Sequence, residues 1–241
     1  MSVTHSAINT AAFSEEALAA LTEEFFREGC VVIPNIFTAE EVATLRAKTD
    51  EYALNPDPTS KHTSFAGTTF VLRYCHEIDP IFQTMTTRPS ILQIVEAVLG
   101  PKAQFNAMNV IRNAQGQAIA RWHVDDVLEF PLPPEIPRFD VRIRMPVLWM
   151  TVQVALSDID QIEHGPTQFV PTSHYSGRKP NETLEFEGRG PQSVFCKAGD
   201  IYLTNHQTWH RGAPNLSERV RYIMQIQYAQ GWADRRFKGV A

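Results

Sequence analysis

Apolar and polar positions in the first hundred residues recur with the period of an α-helix. Leu18, Leu21 and Phe25 are spaced to lie on one helical face, and Thr38 and Glu41 have the spacing of a capping box. Gly29 follows the first of these segments, Gly100 follows the third, and Pro89 opens the third, as is common at helix ends. The segments predicted to be helical are residues 14–29, 38–52 and 88–100.

From about residue 103 the alternation changes to a period of two, which is typical of β-strands. The runs, rich in β-branched and aromatic residues, are AQFNAMNVI, AIARWHV, VLWMTVQVAL, QSVFC, DIYLT and RYIMQIQYA, with an earlier edge strand in VVIPNIF. Successive strands without helices between them favour an antiparallel barrel, sandwich or jelly roll, with the early helices packed on one outer face. We therefore predict a mainly β (α+β) fold in a single domain over 1–241, with 1–100 as mostly helical support and 103–230 as the β core.

Composition narrows the class of protein. The chain has 22 Lys and Arg against 27 Asp and Glu, a net charge of -5, and its basic residues are scattered, so no nucleic-acid partner is expected. No run approaches the roughly 20 apolar residues of a membrane-spanning helix, so no membrane partner is expected either. The first dozen residues lack the pattern of a secretory signal, and three widely spaced cysteines indicate no disulfide framework. We expect a soluble, cytoplasmic protein.

The run ARWHVDD places an imidazole and a carboxylate on one face of a strand. His123 and Asp125 are two residues apart and therefore point the same way, whereas Asp126 points away and is expected to be a solvated charge. Such a pair is short of a metal site, because a divalent ion needs a third protein ligand. The candidates for that ligand in the β region are His164, His174, His206 and His210.

The segment TNHQTWHRGAPNLSERVRYIMQIQY is typical of a hairpin. Its turn at 213–217 is predicted to set His210 directly opposite Arg221, so that an imidazole and a guanidinium point into one cavity. Along the return strand, Arg221, Gln225 and Gln227 alternate with apolar residues. A solvated face and the lining of a polar pocket both fit this alternation.

The run VLWMTVQVAL has two faces of different character. Leu148, Met150 and the residues that follow at every second position are wholly apolar. Trp149, Thr151 and Gln153 lie on the other face. This arrangement suits the interior of a barrel that holds a small polar ligand.

Taken together, the motifs resemble a known family. HVD, DIDQIEHGPTQFVPTSH and GDIYLTNHQTWHRGAPNLSERVR, with the opening EGCVVIPNIFTAEEV, are similar to the phytanoyl-CoA dioxygenase (PhyH-like) family of non-haem iron(II), 2-oxoglutarate-dependent oxygenases. The resemblance implies a double-stranded β-helix (cupin-like jelly roll), with Fe(2+) as cofactor and 2-oxoglutarate and O2 as co-substrates. It implies that His123, Asp125 and His210 are the metal ligands and catalytic residues. It also implies that Arg221 binds the far carboxylate of 2-oxoglutarate, with Thr167 of the GPT motif as a second contact.

Several residues are alternatives or additions to this set. Thr151 and Gln153 are further candidates for the co-substrate pocket. His206 shares the parity of His210 and is the alternative ligand, although only His210 has an arginine at the family's distance. Arg219 is the alternative anchor for the co-substrate. Family members that halogenate have a small residue at the position of the carboxylate, so the aspartate favours hydroxylation.

The chemistry of these residue types agrees with the resemblance. A triad on one side of iron leaves positions for a chelating 2-oxo acid and dioxygen, and the arginine fork suits a carboxylate. The implied reaction hydroxylates a C–H bond of a small organic molecule, for example a secondary-metabolite intermediate, and releases succinate and CO2. Desaturation, epoxidation and rearrangement use the same residues. A cupin-type isomerase or hydrolase with another metal and a non-catalytic ligand-binding barrel are the alternatives.

The proline-rich segment 127–146 directly follows the His-x-Asp pair, so it must begin near the metal. One hypothesis makes it a lid, with Arg138, Arg142 and Arg144 serving an anionic or carbonyl-bearing substrate. The alternative is a surface excursion or a contact in a homodimer.

Overall fold

Helices fill much of the first hundred residues and end at the signals found in the sequence. The computed structural model describes residues 12–125 and 127–233. Gly29 adopts the left-handed conformation that ends the first helix, and Thr38 and Glu41 form the capping box of the second. The helices are α1 (Glu15–Glu28), α2 (Ala39–Leu54), α3 (Pro80–Gln83) and α4 (Pro89–Leu99).

In the described part of the chain, eleven strands form two antiparallel sheets. The major sheet has the order β1-β9-β6-β11-β4-β3-β2, and the minor sheet has the order β5-β10-β7-β8. The strands are β1 (Cys30–Ile33), β2 (Thr63–Ala66), β3 (Thr69–Arg73), β4 (Ala103–Asn113), β5 (Ile119–His123), β6 (Trp149–Ala155), β7 (Thr167–Phe169), β8 (Gln192–Ser193), β9 (Ile201–Asn205), β10 (His210–Gly212) and β11 (Arg221–Gln230).

The last eight strands have the connectivity of a double-stranded β-helix. Strands β4, β6, β9 and β11 lie side by side in the major sheet, and β5, β7, β8 and β10 form the minor sheet. The chain therefore crosses repeatedly from one sheet to the other, which is how a jelly roll closes around an interior. The predicted jelly-roll fold is confirmed.

The first hundred residues contribute more strand than predicted. Residues 63–73 form the hairpin β2–β3, which extends the major sheet by pairing Phe70 with Arg112 and Leu72 with Val110. The hydrophobic pattern of residues 63–73 is too short to distinguish a strand from a helix. The pairing of β3 with β4 stabilises the strand conformation. The predicted edge strand is present as β1.

The largest core lies between the helices and the outer face of the major sheet. Phe25 of α1, Leu45 of α2 and Ile91 of α4 pack in one cluster with alternate residues of β6 and β11. The residues of these two strands in the cluster are Met150, Val152, Val154, Tyr222, Met224, Ile226 and Tyr228. This confirms that the helices cover one outer face.

A smaller cluster lies between the two sheets. It joins Phe169 of the minor sheet to Tyr202 and Ile223 of the major sheet. Within the described ranges, all three cysteines are free and buried. No helix there is both long and apolar enough to span a lipid bilayer.

Candidate metal centre and co-substrate pocket

The structure brings His123, Asp125 and His210 together. His123 ends β5 and His210 begins β10, and these two residues are direct partners in the minor sheet. Asp125 Oδ1 lies 3.6 Å from His123 Nε2 and 3.4 Å from His210 Nε2. One ligand atom from each residue falls within 4.8 Å of the others. Two histidines and a carboxylate at this spacing can hold one metal ion.

Backbone hydrogen bonds orient both imidazoles toward the same point. The Nδ1 atoms of His123 and His210 lie 2.8 Å from the carbonyl oxygens of Arg121 and Thr208. Because a carbonyl oxygen only accepts, each Nδ1 must carry the proton, and each Nε2 faces the carboxylate. Nitrogen lone pairs and a carboxylate around one gap repel one another unless a cation or protons lie between them. The donor set therefore fits a metal cation, with backbone groups fixing the ligands.

The electrostatics of the triad favour charged groups despite their burial. Burial alone would raise the pKa of Asp125, but the adjacent imidazoles, His210 above all, hold that pKa well below its ordinary value. Burial alone would lower the pKa of His210, and Asp125 with the Thr208 carbonyl reverses this and raises it. The Asp125 carboxylate therefore supplies the negative charge for a bound cation at this site.

Asp125 lies just beyond the end of its strand, since β5 ends at His123. Its backbone N–H donates to the carbonyl oxygen of His206 at 2.8 Å. His123 and Asp125 therefore point to the same site, as strand alternation predicted, but the hydrogen bond to His206 beyond the end of β5 fixes the position of Asp125. Asp126 lies outside the described residues.

Arg221 presents a buried guanidinium to the interior. The residue is 4% exposed, and its Nη1 donates to the carbonyl oxygen of Gly165. Its Nε has no hydrogen-bond partner, and no carboxylate of the described residues forms an ion pair with it. Burial lowers its pKa. An uncompensated buried charge is costly, so the arrangement favours binding of an anion.

The prediction that His210 and Arg221 lie opposite each other in one hairpin is wrong. His210 pairs with His123 and Phe169 in the minor sheet, whereas Arg221 pairs with Asn113 in the major sheet. The intervening turn crosses between the sheets instead of reversing within one. Both side chains still line the same cavity, from opposite walls.

That cavity, which we call the inner cavity, has a volume of about 150 Å³ and is lined by the triad, Arg221 and residues of both sheets. Thr167, Thr151 and Gln153 line it, so the polar face of β6 faces a pocket and not bulk solvent. Gln225 and Gln227 line it as well.

Tyr202 is a pocket residue that the sequence analysis missed. It lines the inner cavity, and its hydroxyl group lies 2.8 Å from Thr167 Oγ1. Burial raises its pKa, so the hydroxyl stays protonated. The signal was present, because alternation in DIYLT separates Tyr202 from the apolar Ile201 and Leu203.

The alternative residues have other contacts. His206 is buried, and its imidazole Nε2 lies 2.8 Å from Glu129 Oε2 and is not part of the His-Asp-His group. Arg219 Nη1 lies 3.4 Å from His164 Nε2 and does not line the inner cavity. His174 Nε2 bonds to the Phe26 carbonyl oxygen.

The arginines of the proline-rich segment do not reach the inner cavity. Arg138 pairs with Glu187, Arg142 with Asp140, and Arg144 with Glu23. The segment begins beside the triad as expected, but the hypothesis that these arginines serve an anionic substrate gains no support from their positions.

A family model identifies the chain. The model of the phytanoyl-CoA dioxygenase (PhyH) family matches residues 25–223, well over half of the sequence, and the chain belongs to this family. The uncharacterized protein Rv1501 of Mycobacterium tuberculosis is 25% identical over 167 residues, which are 69% of this chain and 58% of that protein. The match thus spans less than two thirds of this relative.

Solved structures share the fold. The non-heme alpha ketoglutarate dependent epimerase SnoN from nogalamycin biosynthesis has a TM-score of 0.72 at 20% identity, over 90% of this chain and 82% of SnoN. HygX from Streptomyces hygroscopicus, solved with nickel and 2-oxoglutarate bound, has a TM-score of 0.69 at 20% identity, over 90% of this chain and 87% of HygX. At this identity the likeness is one of fold, and it agrees with the double-stranded β-helix.

Proposed function

We propose that this protein is an iron(II)- and 2-oxoglutarate-dependent oxygenase that hydroxylates a C–H bond of a small organic molecule, with release of succinate and CO2. The observation that carries the proposal is one cavity lined by two complementary groups. A His-Asp-His group and a buried guanidinium without an acidic partner among the described residues both line it. Membership of the phytanoyl-CoA dioxygenase family supports the same conclusion.

His123, Asp125 and His210 would hold the iron ion. Imidazole and carboxylate donors suit ferrous iron, and three protein ligands leave coordination positions open to other molecules. When bound there with 2-oxoglutarate and O2, iron supplies the oxidation of an unactivated C–H bond, which no side chain can carry out. The backbone carbonyls of Arg121 and Thr208 keep both rings turned toward the ion.

Arg221 would bind the far carboxylate of 2-oxoglutarate. Its guanidinium can donate two parallel hydrogen bonds, and burial strengthens them because little water competes. The Thr167 and Tyr202 hydroxyl groups come from different sheets, lie 2.8 Å apart in the same cavity and can supply a hydrogen-bond donor to the same carboxylate. Thr151 and Gln153 are proposed to contact the co-substrate farther along the cavity.

Related folds support this choice of cofactor and ligand class. SnoN has been solved with Fe3+, alpha ketoglutarate and nogalamycin RO, and HygX with nickel, 2-oxoglutarate and hygromycin B. We propose a small molecule as the substrate here too. SnoN is an epimerase and SnoK from the same biosynthesis is a carbocyclase, so proteins with this fold catalyse more than one type of reaction. Hydroxylation by the present protein is therefore the more specific claim within this proposal.

Succinate release tests the proposed function. The purified chain is incubated in air with 2-oxoglutarate and Fe(II), and then with either component omitted or with Zn(II) or Mn(II) in place of iron. We expect slow succinate release that needs both Fe(II) and 2-oxoglutarate, even without a substrate. Arg221→Leu should slow it, whereas Arg142→Leu, at a surface arginine, should not. The absence of iron-dependent succinate would favour another metal enzyme or a non-catalytic barrel.

A further inference from the structure

A second, larger cavity adjoins the inner cavity. It has a volume of about 810 Å³ and shares Gln227 with the inner cavity. We call it the mouth cavity, and the residues that define it here are Tyr74, His76, Phe105, Asn106, Gln83 and Gln227. A space of this size accommodates a ligand of several rings.

Strand register places the mouth cavity at the end of β11 that is remote from the co-substrate. Arg221 lies at the first position of β11 opposite Asn113, and Gln227 lies six residues later opposite Ala107. In the proposed function the 2-oxoglutarate carboxylate lies at Arg221, and the co-substrate contacts reach as far as Thr151, the strand partner of Gln227. The mouth cavity, on the other side of Gln227, therefore remains for a second ligand.

A β-bulge shapes the wall of the mouth cavity. Gln227 pairs with Ala107, but the next residue, Tyr228, pairs with Phe105, so Asn106 is an extra residue on β4. Bulges re-aim side chains and are frequent next to functional sites. Both Phe105 and Asn106 consequently line the cavity.

Three rings form one side of the mouth cavity. The rings of His76 and Phe105 are 4.8 Å apart edge to face, and those of Tyr74 and His76 are 6.3 Å apart. Tyr74 has φ 50°, a left-handed conformation that is unfavourable for a bulky residue, and its N–H donates to Asn109 Oδ1 at 3.2 Å. Strain of this kind is often retained where it positions a side chain for a ligand.

The polar groups of the mouth cavity are free to bind a ligand. The side-chain amides of Gln83, Asn106 and Gln227 make no hydrogen bond within the described part of the chain. Among the described residues His76 Nδ1 has no hydrogen-bond partner, and burial lowers the pKa of this ring, which favours the neutral imidazole. Amides and neutral imidazole both donate and accept, which matches hydroxyl and carbonyl groups.

The charges of the mouth cavity cancel. Lys61 and Glu77 are its charged lining residues, and they pair with each other at 2.5 Å. An acyl-CoA carries several phosphate charges and needs a cluster of Arg and Lys, and a polycation needs a cluster of carboxylates. Neither cluster is present in this lining.

We propose that the mouth cavity is the substrate site and that it selects a neutral ring compound bearing hydroxyl or carbonyl groups, in preference to an acyl-CoA. The inference rests on the proposed function, because that function assigns the inner cavity to the co-substrate. Tyr74, His76 and Phe105 contact the rings of the substrate, and Gln227 hydrogen-bonds to it beside the metal centre.

Calorimetric titration of the full chain tests this inference. The protein is loaded with Ni(II) and saturated with 2-oxoglutarate, and the probes are the neutral flavonoids naringenin and genistein, the polyanion octanoyl-CoA and the polycation hygromycin B. We expect at least one flavonoid to bind more tightly than either charged probe. Tyr74→Gly, which keeps the left-handed backbone and removes the ring, should weaken flavonoid binding about fivefold.

Matched variants make the test specific. Gln227→Leu should also weaken flavonoid binding several-fold, whereas Phe65→Ala, which removes an exposed ring outside the mouth cavity, should leave it unchanged. Tighter binding of octanoyl-CoA or hygromycin B, no binding of either flavonoid, or equal effects of Tyr74→Gly and Phe65→Ala would overturn the inference. If 2-oxoglutarate itself fails to bind the nickel-loaded protein, the proposed function fails first, and the inference falls with it.

Discussion

The two faces of the major sheet come from the same strands but have opposite chemistry. On the outer face, Met150 and Ile226 are fully buried against the helices. On the inner face, Thr151, Gln153 and Gln227 line cavities with polar groups. Because neighbouring residues of a strand point to opposite faces, one strand serves stability with every second residue and ligand binding with the others. Substitutions on the two faces should therefore have separable effects.

Asp125→Asn should have the largest effect, and mainly on function. The amide cannot supply the negative charge that a metal cation meets between the two imidazoles, so we expect succinate release to fall by about 10³-fold or more. The thermal midpoint of the metal-free protein should fall modestly, because the amide keeps the shape of the side chain but loses the charge that the imidazoles stabilise. Asp140→Asn, at a surface ion pair, is the control. Near-normal turnover by the Asp125→Asn variant would contradict the assignment of this carboxylate.

Ile226→Ala should affect the outer face alone. Removing this fully buried side chain is expected to cost about 2–5 kcal/mol of unfolding free energy, as measured by denaturant titration. The affinity for 2-oxoglutarate, measured well below the unfolding midpoint, should stay the same. A parallel loss of affinity would show that the two faces are coupled.

Arg221→Leu should affect function and stability in opposite directions. The affinity for 2-oxoglutarate should fall about 10²-fold, because a charge-assisted pair is lost. The protein without ligand should be equally or more stable, because a buried charge without an acidic partner is removed. Calorimetry and denaturant titration report the two quantities. Destabilisation by several kcal/mol would indicate that Arg221 is mainly structural.

Thr38→Ala should have the smallest effect. It removes the capping box of α2 on the helical side of the molecule and is expected to cost about 1 kcal/mol of unfolding free energy. Thr44→Ala, on the exposed surface of the same helix, should change stability much less. Turnover should be the same in both variants, and a specific loss in Thr38→Ala would contradict the separation of the two faces.

Local patterns predicted the elements well because they depend on neighbouring residues. The alternation in VLWMTVQVAL assigned Thr151 and Gln153 to the polar face of β6, and they line the inner cavity. The cap signals at Gly29 and Thr38 depend on one helix turn and are confirmed. The ligand roles of the triad and Arg221 stay predictions, although the structure brings these residues together.

The pairing of distant strands could not be predicted in the same way. A turn between His210 and Arg221 fits a hairpin and a crossover equally well in sequence, and packing of the whole jelly roll selects the crossover. The hairpin β2–β3 is stabilised by β4, about thirty residues farther along the chain. Tyr74 and His76 became candidates only when this pairing placed them beside Phe105.

Anaerobic titration of the purified chain with Fe(II) and 2-oxoglutarate tests the central claim most directly. If the triad and Arg221 hold both components in one cavity, a visible charge-transfer absorption should develop and saturate at one iron per chain. It should be absent in Asp125→Asn and require much more 2-oxoglutarate in Arg221→Leu. No such absorption in the wild-type protein, or an unchanged titration in both variants, would contradict the claim.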